Sequence, residues 1–97
     1  MELLTDEIRE KMIANHLETD QKKKLFAEVK LFNPTGLGTW WLSELDPETN
    51  VAFGIAEIQE KEYGYVSIDE LKEFKGSFGL PIERDLYFKP VPLDDLA

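Results

Sequence analysis

The sequence predicts an α+β fold: a twisted, mainly antiparallel meander sheet of about five strands, with two helices packed on one face. Three observations carry this. Helical periodicity at the start gives way to four short β-rich segments separated by turn residues, and a capping-box helix then precedes a last aromatic segment. The connections between the first four strands are too short for crossovers, so those strands pair antiparallel. At 97 residues, with no internal repeat or long linker, the chain reads as a single domain.

Thr5 to Leu17 predicts the first helix. Thr5 suits the N-cap, and Asp6 and Glu7 sit in the first turn, where the helix dipole favours anions. Ile8, Met12, Ile13 and Leu17 form the apolar stripe, and Glu7 and Lys11 have i, i+4 spacing. Glu18 to Lys24 is polar and reads as a frayed extension or a loop.

Leu25 to Phe32 alternates, with Leu25, Ala27, Val29 and Leu31 on one side, and predicts a half-buried strand. Asn33-Pro34-Thr35-Gly36-Leu37-Gly38 is a turn. Thr39 to Leu45 is the next strand, Asp46 to Asn50 a second turn, and Val51 to Ile58 the third strand. Gly54 and Ala56 are small on one face of that strand, leaving room for Trp40 or a helix. Tyr63 to Val66 is a short fourth strand.

Ser67-Ile68-Asp69-Glu70 is a capping box, with Val66 and Leu71 spaced as a hydrophobic staple. The helix it opens runs to about Lys75 and stops at Gly76. After the Gly79-Leu80-Pro81 turn, Leu86 to Lys89 predicts the fifth strand, and Val91 to Ala97 a tail with one helical turn after Pro92.

Composition bounds the function. There is no cysteine, which excludes disulfides, thiolate metal sites and cysteine nucleophiles. No apolar run approaches the roughly 18 residues that span a bilayer. The acidic start, Met1-Glu2-Leu3-Leu4-Thr5-Asp6-Glu7, lacks the features of a signal peptide, so a cytoplasmic setting is expected. Twenty acidic and 11 basic residues give a net charge of −9. That balance repels phosphate backbones and anionic membranes, and it suits a partner with a basic surface.

Several blocks carry a family resemblance. They are Leu4-Thr5-Asp6-Glu7-Ile8-Arg9, Val29-Lys30-Leu31-Phe32-Asn33-Pro34-Thr35-Gly36, Thr39-Trp40, Leu45-Asp46-Pro47, Ala52-Phe53-Gly54 and Gly64-Tyr65-Val66. The most specific is Gly79-Leu80-Pro81-Ile82-Glu83-Arg84-Asp85-Leu86-Tyr87-Phe88. On these residues the chain resembles a family of small uncharacterised proteins, known only as a domain of unknown function. Its members occur on bacterial plasmids, phages and integrative elements. The resemblance implies a mobile-element setting and carries over no activity and no catalytic residue. Family members often have a longer, glycine-containing loop where this chain has only Gln59-Glu60-Lys61-Glu62.

Two constellations are candidate binding sites. In Glu83-Arg84-Asp85, the planar guanidinium of Arg84 suits a carboxylate or phosphate, with Glu83 or Asp85 as a base. The structural alternative pairs Arg84 with a carboxylate while one acid pins the turn. In Trp40-Trp41, neighbours on a strand face opposite ways, so one indole enters the core and the other lies on the outer face. An outward Trp beside Tyr63, Tyr65 or Tyr87 would form an aromatic patch for a partner or for stacked bases. The alternative is that the helices cover both rings. The candidate binding residues are therefore Trp40, Trp41, Tyr63, Tyr65, Glu83, Arg84 and Asp85.

Other features carry less. Lys22-Lys23-Lys24 is the only basic run and reads as a solvated loop. His16 is the lone histidine, near a helix end, without metal-ligand spacing around it. Gly36-Leu37-Gly38 lies between strands and makes a hairpin, not a phosphate cradle. No Asp-x-Asp-x-Asp-Gly loop occurs. No catalytic residue, metal ligand or cofactor is assigned. The expected function is an acidic protein-interaction module of a mobile element, in its sharper form a DNA mimic that inhibits a host nucleic-acid-binding or defence protein. The alternatives are a single-stranded nucleic-acid-binding accessory protein and a metal-dependent nuclease using Glu44, Asp46, Glu83 or Asp85.

Overall fold

The computed structural model describes residues 2–20 and 22–97. Met1 and Gln21, which the sequence places in the N-terminus and the polar loop, lie outside the described residues. Helix α1 spans Asp6–Leu17, and the Thr5 hydroxyl accepts from the Ile8 amide at 3.1 Å, as its N-cap position requires. The strands are β1 (Phe26–Ala27), β2 (Val29–Phe32), β3 (Thr39–Asp46), β4 (Val51–Glu57) and β5 (Lys61–Ser67). Helix α2 follows at Ile68–Glu73, then β6 (Glu83–Arg84) and β7 (Val91–Pro92).

Five strands form one antiparallel sheet in the order β5-β4-β3-β2-β6. The meander runs from β2 to β5; the chain then passes through α2 and adds β6 at the far edge. Both helices pack on one face. Met12, Ile68 and Leu71 join Val29, Leu31, Trp40, Leu42, Leu45 and Ala52 in the main core, with Leu3, Leu4 and Ile82. Complete burial of a Leu or Ile side chain contributes about 1.5–3 kcal/mol, so this cluster dominates the stability.

A smaller cluster lies on the opposite face. Ala27, Ile55 and Leu93 are buried there, with Trp41, Phe53, Phe88 and Leu96 packed against them. The C-terminal tail supplies its cover. It pairs with β1 through β7 and ends in a 3-10 turn at Leu93–Leu96, the turn expected after Pro92.

The structure corrects four details. The strand expected over Leu25 to Phe32 breaks at Glu28. Val29 pairs with Leu42 while the Glu28 amide also donates to the Leu42 carbonyl at 2.8 Å, so two residues oppose one. Ala27 therefore joins the tail-side cluster and not the core that holds Val29 and Leu31. The fifth strand lies at Glu83–Arg84, paired with Phe32 and Leu31, and not at Leu86 to Lys89. The Asp85 carboxylate accepts the Tyr87 amide at 2.9 Å and turns the chain there. Leu17 does not continue the apolar stripe, being 67% exposed. Finally, α2 ends at Glu73, two residues before the expected stop, and Ser67 accepts from the Glu70 amide at 3.2 Å. The return bond from the Glu70 carboxylate to the Ser67 amide is absent among the described residues.

The β3–β4 turn ties both helices to the sheet. Asn50, at φ 57°, accepts from Arg9 of α1 at 2.9 Å and donates to Asp69 of α2 at 2.8 Å. Asn tolerates this left-handed conformation better than most residues. Past the end of β2, the second half of β3 has no strand neighbour on that side among the described residues. Asn15 of α1 fills the role, donating to the Ser43 carbonyl at 2.9 Å and to Glu28 at 3.0 Å. Among the described residues, no helix is long and apolar enough to cross a membrane.

Candidate binding surface on the sheet

Strand alternation separates the two tryptophans as expected. Trp40 pairs with Leu31 and Ala56 and lies in the helix-side core. Trp41 pairs with Lys30 and Ile55 on the opposite face. Its cover is the C-terminal tail and not a helix. Two ammonium groups approach its ring, Lys30 at 5.8 Å and Lys61 at 5.2 Å from the centroid.

The same face carries an open aromatic group. Phe53 pairs with Tyr65, and Ile55 with Tyr63. The Phe53 ring stacks 6.2 Å from Tyr63 and lies tilted 5.1 Å from Tyr65. Tyr63 is held at its other end, donating to Asp94 at 2.7 Å, and that bond raises the pKa of its phenol. Tyr65 has no such tether among the described side chains and is 78% exposed. It lines a cavity of about 410 Å³ together with His16, Glu44, Asp46 and Phe53. Burial pushes the Glu44 carboxyl up, with His16 pulling the other way. The Glu48 amide, donating to Asp46 at 2.9 Å, is the main cause that holds the Asp46 carboxyl below its usual value.

Arg84 and Asp85 turn to different partners. Arg84 pairs with Leu31 and turns to the N-terminus, where its guanidinium donates to the Glu2 carbonyl. Its partner is thus a backbone oxygen and not the carboxylate expected. Asp85 faces the other way, 3.8 Å from the Lys30 ammonium. These residues line a second cavity of about 560 Å³ with Asn33, Leu86 and Tyr87. Of the four nuclease candidates, Glu44 and Asp46 line one cavity and Glu83 and Asp85 the other. Among the described residues, no group of three His, Cys, Asp or Glu side chains could hold a metal ion.

Two participants were not singled out from the sequence. Phe53 is the ring that holds the two tyrosines together. Its alternation with Ile55 was the signal, since both had to share a face. Gly64 stands opposite Gly54. The family model described as "Protein of unknown function (DUF2958)" matches residues 3–94. The chain belongs to the DUF2958 family. The match takes in both helices, the whole sheet and the aromatic group, so those features are carried on the family's domain. No curated protein and no solved structure matches this family member.

Carboxylates are spread over both helices, several strands and the C-terminal tail. They include Asp6, Glu7 and Glu10 on α1, and Asp69, Glu70 and Glu73 on α2. Others are Glu44 and Asp46 on β3, Glu60 and Glu62 around β5, and Asp94 and Asp95 in the tail.

Proposed function

We propose that this chain is a protein-interaction module that docks a partner with a basic surface through the Phe53, Tyr63 and Tyr65 face. The observation that carries this is the Tyr65 ring, 78% exposed yet packed 5.1 Å from Phe53. An aromatic ring held in place while open to solvent offers a large contact area at little ordering cost, as interface anchors do. Glu44 and Asp46 beside it, within a net charge of −9, favour a cationic partner and speed its encounter.

The sharper form, mimicry of DNA in an inhibitor of a host nucleic-acid-binding or defence protein, needs carboxylates ordered like phosphates. Acids spread over both helices, several strands and the tail support the general module more than that form. Stacking of single-stranded bases on Tyr65 and Phe53 would contribute about 1–3 kcal/mol per base. The neighbouring carboxylates oppose it. Division of the four candidate carboxylates between two cavities favours binding over metal-assisted hydrolysis. A cytoplasmic setting on plasmids, phages or integrative elements belongs to the same reading. It rests on the family resemblance and on a chain without cysteine.

Photo-cross-linking tests the proposal. Benzoylphenylalanine replaces Tyr65 in one variant and the exposed Glu10 of α1 in another. The expected result is a cross-link from position 65 alone, to a basic protein, weakened by salt. Identical cross-links from both positions would contradict it. Micromolar binding of single-stranded DNA that Tyr65→Ala abolishes would assign the face to nucleic acid.

A further inference from the structure

Strand β5 is an edge of the sheet, and among the described residues it pairs with β4 alone. It has seven residues, contains no proline, and pairs with β4 from Lys61 to Ser67 without a register shift. Long regular edges of this kind present unpaired N–H and C=O groups and accept another strand unless blocked. The opposite edge, β6, is only two residues long.

The helix-side face of β5 is hollow. Gly64 falls on that face with Val66, and a Cβ built on it meets nothing within 4 Å. The result is a groove of about 380 Å³ lined by Trp40, Ala56, Ile58 and Val66, with Glu60 and Glu62 beside it. Ile58 is 54% exposed there. The opposite face of the same strand carries Tyr63 and Tyr65.

The geometry points to β-strand addition: an extended, lysine- or arginine-rich segment of a partner protein pairs with the free edge of β5. Its central apolar side chain enters the groove over Gly64, and its flanking cations meet Glu60 and Glu62. This rests on the protein-binding reading above and names its mode. Main-chain hydrogen bonds give such a complex its affinity, and alternate side chains give its specificity. Charge decides between occupants. A second copy would bring another −9 to an edge already flanked by glutamates, whereas a cationic segment neutralises it.

Calorimetric titration of the full chain with acetyl-Lys-Thr-Lys-Thr-Leu-Thr-Lys-Thr-Lys-amide tests this. The peptide places leucine and lysines on one face. Two versions, N-methylated on alternate residues in either phase, keep the charge, and the one whose methyl groups face β5 loses strand pairing. Gly64→Val puts a branched side chain into the groove, its Cβ at a point with no atom within 4 Å. The expected result is binding that weakens at least tenfold in one methylated version and at least tenfold in Gly64→Val. Equal binding of all three peptides by both proteins would overturn strand addition. If Tyr65→Ala alone then abolished binding, the aromatic docking face would survive without it. Failure of the unmodified peptide to bind would also overturn strand addition, and the cross-link from position 65 would judge the docking face separately. A wild-type chain that sediments as a dimer and becomes monomeric in Gly64→Val would give the edge to a second copy and overturn the proposal.

Discussion

Gly54 and Gly64 stand directly opposite one another across β4 and β5, and their surroundings are opposite in kind. A Cβ on Gly54 would fall on the Trp41 carbonyl oxygen and lie 2.8 Å from the Leu42 Cα, where β3 shifts register. A Cβ on Gly64 would enter open space. Gly54→Ala is therefore expected to destabilise by about 2–3 kcal/mol or more, because backbone must move. Gly64→Ala should lie between neutral and about 1 kcal/mol stabilising, through lower unfolded-chain entropy. Urea unfolding of the two variants checks this; equal losses would contradict it.

Asn50 joins three elements, and two substitutions separate its roles. Asn50→Gly keeps the left-handed backbone and loses the bonds to Arg9 and Asp69, at a cost of about 1–2 kcal/mol. Asn50→Ala adds left-handed strain and should cost about 1 kcal/mol more. A stability order with alanine above glycine would show that the left-handed strain is smaller than the chain entropy that glycine adds.

Phe78 holds φ 62° while 96% exposed, so it stores strain with little packing in return. Phe78→Gly should raise stability by about 0.5–1 kcal/mol, the relieved strain less the added chain entropy. A stability loss in thermal unfolding would reveal packing that its exposure does not show.

Glu44 gives a pH dependence. Its folded pKa is raised, chiefly by burial, so folding penalises its ionised form. The stability linked to this group is greatest while it is protonated and falls as pH rises through its titration. Glu44→Gln should therefore melt above the wild type at pH 7, and the difference should vanish well below the ordinary value of 4.5. The gain is modest because solvent screens the site. A lower melting point for Glu44→Gln at pH 7 would mean that attraction to His16 outweighs burial.

Local pattern made much of this fold legible. The opposed directions of Trp40 and Trp41 follow from strand alternation alone, and the Ser67 cap follows from a four-residue motif. The tyrosines at 63 and 65 share a face for the same reason. What escaped depends on distant partners. Glu83-Arg84 looks like loop until Leu31 and Phe32 arrive from some fifty positions earlier to pair with it. Leu86 to Phe88 looks like strand, but the Asp85 side chain captures the Tyr87 amide first. Alternation leaves open which indole faces outward and what covers it; the C-terminal tail covers Trp41. The groove over Gly64 is formed by a side chain that is not there, and strand periodicity registers only those that are.

An amide chemical-shift titration of the whole chain with the lysine- and threonine-containing peptide is the most direct test of a docking face on β4 and β5. The expected result is a set of shifts confined to Phe53, Lys61–Ser67 and their neighbours, unchanged in position as salt is raised to half-weaken binding. Shifts spread evenly over α1, α2 and the tail, and vanishing together with salt, would mean that the cationic peptide sees only a diffuse negative charge.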